Sequence, residues 1–194
     1  MTNQKQELRN QMRERLASLS SSQVRVRSAA VWERLSVLSE FVSGTWLLVY
    51  VSKGHEIDTH GLIQQLLAIG KHACVPRFDD ASGRYIASEL KDFVAELVEG
   101  KFGILEPKQG AVRLVSADKL DALLVPGLAF DGKGNRIGRG MGFFDRLLRE
   151  APGIKIALAY DFQVLNKVPA DAHDVCVDFI VTEKQVVPCK RTNQ

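Results

Sequence analysis

Cysteine is scarce in this chain, and its placement is uninformative for metal binding. Cys74, Cys176 and Cys189 are widely spaced and odd in number, with no CxxC pair and no His/Cys cluster. Neither a zinc site nor a disulfide framework is indicated. Long apolar runs are missing too, since none approaches the roughly 20 residues that span a bilayer. The opening residues, MTNQKQELRNQMRER, lack the apolar stretch of a signal peptide. A cytoplasmic address without membrane association is therefore expected. Nor does charge of one sign dominate: the formal net charge is +3, too small to imply nucleic-acid binding, though it can help an anionic ligand approach a basic cleft. The four histidines add little. His55 flanks a candidate pocket described below, His60, His72 and His173 read as surface or turn residues, and no Ser/His/Asp or Cys/His arrangement follows from residue order.

What is present is the composition of an ordinary globular protein, 45% hydrophobic and 25% charged. A length of 194 residues suits one good core better than two, so a single domain over 1–194 is expected.

Residues 3 to 19 read as a helix, with Leu8, Met12, Leu16 and Leu19 on one apolar stripe. The serines from Ser18 to Ser22 supply a break and an N-cap. A second helix carries Val24, Ala30, Val31, Leu35 and Leu38 to about Phe41. After this helical pair the chain alternates. Thr45 to Val51 (TWLLVYV) is a continuous apolar run of the kind buried strands show. Asp58 or Thr59 can cap a helix through Leu62, Ile63, Leu66, Leu67 and Ile69. Further strands are expected at His72 to Val75, Arg84 to Ser88, Asp121 to Val125, Ile154 to Ala159 and Val177 to Val181, with a turn-rich segment FGILEPK at 102–108 and a short helix near Phe143 to Glu150. Strand and helix in alternation imply an α/β sandwich, a largely parallel central sheet flanked by helices.

The most informative segment is Val125 to Leu148, VPGLAFDGKGNRIGRGMGFFDRLL. A buried strand leads in and a helix leads out. Between them Gly134, Gly138, Gly140 and Gly142 interleave with Arg136 and Arg139. Glycines let backbone N–H groups approach an anion, a helix N-terminus adds free donors, and arginines bridge phosphate oxygens bidentately. Together these describe a polyphosphate site; the plainer alternative is a solvated glycine-rich turn with surface arginines. It is not a P-loop: Gly127 to Lys133 fits the first seven positions, but Gly134 stands where Ser or Thr would bind magnesium. The GxGxG spacing of Gly138, Gly140 and Gly142 is not the dinucleotide fingerprint either.

The stretch from Pro126 to Leu148 resembles the signature of the 5-formyltetrahydrofolate cyclo-ligases, also called methenyltetrahydrofolate synthetases. The resemblance rests on PGLAFD, then NRIGRGxG, two aromatics and Asp-Arg. Further similar segments follow in order along almost the whole chain: KQELR with Lys5 and Arg9, EIDT with Glu56 and Thr59, GILEP from Gly103 to Pro107, ALAY from Ala157 to Tyr160, and VPADAHDVCVD from Val168 to Asp178.

The resemblance implies a layered α/β fold shared with sugar-phosphate isomerases and CoA transferases, and an enzyme that closes 5-formyltetrahydrofolate to 5,10-methenyltetrahydrofolate with ATP and Mg2+. It implies ATP contacts from Lys5, Arg9, Arg136, Ile137, Gly138, Arg139, Gly140, Met141, Gly142, Phe143 and Phe144. It places the folate against Val51 and Glu56 and against Arg139, Gly140, Met141, Gly142 and Phe143, and the metal at Asp145 and Asp174, with Asp178 a rival. Arg139 is the leading candidate for stabilising charge on the transferred phosphoryl group. Plainer readings stand beside these: Lys5 and Arg9 as solvated helix charges, Val51 as core, Glu56 as a loop acid, Asp145 as a first-turn acid favoured by the helix dipole, Asp174 as a turn cap. Tyr50, Phe130 and Tyr160 are candidates for the pocket wall or for core. The chain departs from the family at Phe143 and Phe144, where tyrosines are usual, and at Met141, where lysine or glycine is common.

The implied partners are the folate and ATP, with no nucleic acid and no membrane, and the expected assembly is a monomer or a weak homodimer. Fold alone does not decide function. A different phosphate-ligand enzyme, or a non-catalytic folate- or RNA-binding module, would share the architecture. Strict ATP dependence and a methenyl chromophore separate a cyclo-ligase from both.

Overall fold

The computed structural model describes residues 3–140, 142–171 and 174–190, with the side chains of Asn3 and Phe143 left outside that description. Two helices come first, α1 (Asn3–Ala17) and α2 (Ser21–Leu35). The Ser20 hydroxyl accepts the Gln23 N–H while the Gln23 side chain accepts the Ser20 N–H. This reciprocal capping box starts α2. The second helix is shorter than its pattern predicts. It closes at Leu35, where the Ser36 N–H bonds Trp32 O and its hydroxyl bonds Glu33 O, the local competition that serine brings to helix ends. Phe41 reaches the core from a separate turn, α3 (Ser39–Val42).

The body follows as β1 (Trp46–Leu48), α4 (His60–Ala68), β2 (His72–Asp79), β3 (Arg84–Glu89), α5 (Phe93–Glu96), β4 (Leu97–Glu99), β5 (Leu105–Pro107) and β6 (Leu114–Val115). After it come β7 (Ala122–Val125), β8 (Ala129–Asp131), β9 (Arg136–Ile137), α6 (Phe143–Glu150), β10 (Ile154–Leu158), β11 (Val164–Leu165), β12 (Phe179–Val181) and β13 (Val186–Pro188).

Eight strands form the main sheet in the order β13-β12-β10-β7-β1-β2-β3-β6. The five from β12 to β2 run parallel, and β13, β3 and β6 are antiparallel margins. Alternate side chains serve opposite faces. Leu47, Leu124, Ile156 and Leu158 pack with Met12, Val31, Leu35 and Ile63 on one side. Leu48, Leu123, Val125 and Ala157 pack with Leu147 and Leu148 on the other. A sheet buried on both faces explains why these strands read as unbroken apolar runs. Each fully buried leucine contributes about 2 kcal/mol.

Three expectations need correction. The segment between β7 and α6 is not a continuous loop: β8 and β9 form an antiparallel hairpin, joined in parallel by β11 to make a small second sheet. The turn-rich segment after residue 100 contributes β5 to a two-stranded sheet with β4. The main sheet carries two strands beyond those expected, β6 and β13, one at each edge. Along the central strands the chain runs from β1 to β2 on one side and later returns to β7 on the other. The β1/β7 boundary is thus where the order reverses, and ligands of open parallel sheets sit outside the carboxyl ends of strands at such a point. Among the described residues no helix is long and apolar enough to cross a membrane.

Candidate active site

The carboxyl ends of β1 and β7 form the floor of a cavity of about 630 Å³, with Tyr50 and Val51 continuing from one strand and Pro126, Gly127 and Leu128 from the other. The loop after β1 is held down from inside. The fully buried Thr59 hydroxyl donates to Tyr50 O at 2.6 Å and accepts the Ser52 N–H at 3.0 Å. With its hydroxyl committed there, Thr59 does not cap α4; Asp58 Oδ1 takes the His60 N–H at 3.0 Å instead. Tyr50 Oη donates to Ile57 O at 3.0 Å and Tyr160 Oη to Glu56 O at 3.4 Å. Glu56 is thereby presented at the cavity rim.

The β8–β9 hairpin forms the facing wall. Arg136 is almost wholly buried; Nη2 pairs with Asp145 Oδ1 and Nη1 donates to Pro126 O at 3.4 Å, while Nε–H has no acceptor among the described residues. Beyond β9 the backbone turns through positive φ at Gly140 (110°) and Gly142 (68°), conformations costly for a residue with a Cβ. Gly142 is the N-cap of α6 and offers no side-chain acceptor, so the first-turn N–H groups receive none from it.

Helix α1 closes the third side. Lys5 and Arg9, one turn apart, are both buried, so they are not solvated helix charges. Lys5 Nζ donates to Asp171 Oδ2 and to Asp174 Oδ2, each at 2.7 Å. Burial works against its charge, but the two carboxylates outweigh it and hold the ammonium pKa above its ordinary value. Arg9 Nε donates to Gly138 O at 3.1 Å, and Arg13 Nη2 to Arg139 O at 3.2 Å. The arginine hairpin is thus docked on α1 through its carbonyls. Across the cavity Arg139 Nη2 lies 2.7 Å from Glu56 Oε1.

The model of the 5-formyltetrahydrofolate cyclo-ligase family matches residues 1–183. The chain belongs to that family. Among its relatives, the 5-formyltetrahydrofolate cyclo-ligase of Haemophilus influenzae is 31% identical over 90% of this chain and 95% of the relative. The mouse cyclo-ligase is 29% identical over 92% of this chain and 93% of its own length. The solved structure of Aquifex aeolicus 5,10-methenyltetrahydrofolate synthetase superposes with a TM-score of 0.86 at 33% identity, covering 98% of this chain and 95% of that one. Membership makes the protein an enzyme of the ligase class.

In this member of the cyclo-ligase family the one cavity collects Lys5, Arg9, Val51, Glu56, Arg136, Ile137, Gly138, Arg139, Gly140, Gly142, Phe144, Asp145 and Asp174. Those are the expected site residues except Met141 and the side chain of Phe143, which lie outside the described residues, as does His173. Asp178 is elsewhere, accepting the Lys155 N–H at 2.8 Å. Phe130 belongs to the core on the far face and packs under Gly127, where an added Cβ would meet its ring at 2.4 Å. Tyr160 is buried beneath the rim.

Several lining residues have no counterpart among the expected ones: Pro76, Tyr85, Phe102 and Ile104 on an apolar side, Asp171 beside Lys5, and Arg146 and Arg149 on α6. Burial pushes the Tyr85 phenol up to about 12, with Glu106 adding to the rise and Arg139 opposing it, so the ring remains neutral. Aromatic residues in strands read as core, and only the FGILEPK segment could have pointed to Phe102 and Ile104. Asp171 lies within VPADAHDVCVD, where its neighbour Asp174 drew the assignment.

Proposed function

We propose that the protein closes 5-formyltetrahydrofolate to 5,10-methenyltetrahydrofolate at the expense of ATP, releasing ADP and phosphate. The formyl oxygen attacks the γ-phosphorus and ADP leaves. Nitrogen 10 then attacks the activated carbon and gives up its proton, the ring closes, and the carbon–oxygen bond breaks to release phosphate. Family membership and the names of the relatives support the overall conversion; the cavity supports the ATP-driven route.

The observation that carries this reading is convergence. Lys5, Arg9, Arg136 and Arg139, four of the six cationic residues that line the cavity at the strand-order reversal, share it with Glu56. Phosphoryl transfer asks for positioning and charge neutralisation more than covalent help. In this reading Lys5, Arg9 and the segment Arg136 to Phe144 hold the nucleotide, and the buried Arg136 Nε–H without acceptor gains a partner whose lack costs about 1–3 kcal/mol. Glu56 accepts from the amino-pyrimidine edge of the pterin, Val51 lines the same pocket, and Arg139 neutralises charge on the phosphoryl group in flight. Its neighbours Gly140 to Phe143 touch both ligands.

Among the described residues no group of three or more His, Cys, Asp or Glu forms a metal cage. Mg2+ typically takes one or two carboxylates together with phosphate oxygens and waters. Asp145 and Asp174, both on the cavity wall, fit that donor set, and the ion would neutralise phosphate charge there. The test is to mix protein, 5-formyltetrahydrofolate, Mg2+ and ATP and follow methenyl absorbance. The signal is expected with ATP and not without it; no signal with any nucleoside triphosphate would overturn the reading.

A further inference from the structure

Asp131 ends β8 and is 1% exposed, outside the cavity lining. Its carboxylate accepts four N–H bonds. Oδ1 takes the Lys133 N–H at 3.0 Å and the Asn135 N–H at 3.1 Å; Oδ2 takes Asn135 Nδ2 at 3.0 Å and the Val168 N–H at 2.9 Å. All four donors are uncharged. A buried anion satisfied by neutral N–H dipoles is held by geometry, and losing one oxygen leaves donors unpaired at about 1–3 kcal/mol each.

The four donors come from two separate stretches of chain. Asn135 immediately precedes Arg136 on β9. Val168 begins the segment that runs to Asp171 and Asp174, the two partners of Lys5. A second tie joins the same stretches, the Val177 N–H donating to Gly134 O at 2.9 Å. The arginine hairpin and the acidic segment opposite α1 therefore share one fixed point. The loop that carries Glu56 hangs on Thr59 and Tyr160, and Asp131 does not reach it.

We propose that Asp131 is a positioning residue that sets the distance between the two halves of the nucleotide-phosphate cradle, and that it acts on nucleotide binding more strongly than on folate binding, whose Glu56 loop it does not hold. The inference rests on the functional reading above. Displacing a binding group by about 1 Å can cost about a hundredfold in rate, so the effect is measurable.

The experiment compares wild type, Asp131→Asn and Asn135→Ala as full chains. Dissociation constants are measured separately for a non-hydrolysable ATP analogue with Mg2+ and for 5-formyltetrahydrofolate, with KM for each and far-UV circular dichroism. Asp131→Asn is expected to weaken nucleotide binding by about tenfold or more and to raise the KM for ATP, while folate affinity stays within about threefold. Asn135→Ala, which removes only one of the four donors, is expected to shift nucleotide affinity by about threefold in the same direction. Wild-type nucleotide affinity in a folded Asp131→Asn, or an equal loss for both ligands, would overturn the proposal. Should Asp131→Asn not fold, Asn135→Ala decides, and unchanged nucleotide affinity there overturns it. Failure of the wild-type protein to bind the nucleotide would defeat the functional reading itself, and this inference with it.

Discussion

Arg139 and Glu56 hold each other across the cavity, with Nη2 at 2.7 Å and Nε at 3.3 Å from the same carboxylate oxygen, Oε1. The residue assigned to the phosphoryl group thus occupies the residue assigned to the pterin. A nucleotide that draws Arg139 toward its phosphates frees Glu56, and a pterin that engages Glu56 frees Arg139. Because the Arg139 side chain is 55% exposed, the pair is worth only about 0.2–1 kcal/mol, and the coupling is correspondingly modest. Titration calorimetry of 5-formyltetrahydrofolate should show about two- to fivefold tighter binding when an ATP analogue is present, with the reciprocal effect on the analogue. Arg139→Ala should abolish the coupling. Independent binding in the wild-type protein would contradict this.

Turnover gives a second check on Arg139. Arg139→Ala is expected to lower kcat by more than about tenfold with an unchanged far-UV spectrum, because a half-exposed rim residue contributes little to the core. Arg139→Lys should recover only part of the rate, since an ammonium cannot reproduce a bidentate contact. Wild-type rates in Arg139→Ala would remove it from its role.

The sheet centre and the phosphate-like loop were legible in the sequence for different reasons. Leu47, Leu48, Leu123 and Leu124 are buried on both faces, so their strands must be apolar throughout. The glycines and arginines of 134–142 announced themselves by composition. The margins did not. Leu97–Glu99 and Val186–Pro188 are edge strands of intermediate and exposed residues, with no apolar run and no clean alternation. The Lys5 contact to Asp171 joins residues 166 positions apart, and no local pattern encodes it. The Asp131 carboxylate was visible only as one letter of PGLAFD, because its function lies in which N–H groups surround it.

Acid titration should expose a contact remote from the cavity. The Arg113 guanidinium, bonded to both Glu96 oxygens, holds that carboxyl down to about 2 from an ordinary 4.5, with burial opposing and backbone N–H groups assisting. The pair's contribution to stability is therefore complete above pH 4.5 and is lost as pH falls toward 2. Glu96→Gln should lower Tm relative to wild type at neutral pH, and the gap should narrow across that window. A gap that stays constant down to pH 2 would contradict the assignment.

Core packing predicts a contrast between two substitutions. Leu123 is fully buried in β7 and Val94 is 82% exposed on α5. Leu123→Ala should destabilise by about 3 kcal/mol in denaturant unfolding, and Val94→Ala by no more than about 0.5 kcal/mol. Equal effects would mean that the sheet is not the centre of the core.

Isotope tracing tests the chemistry at its centre. Substrate labelled with oxygen-18 in the formyl group is turned over once with ATP, and the released phosphate is analysed by mass. Attack of the formyl oxygen on the γ-phosphorus predicts one labelled oxygen in each phosphate formed. Unlabelled phosphate accompanying methenyl formation would contradict the mechanism.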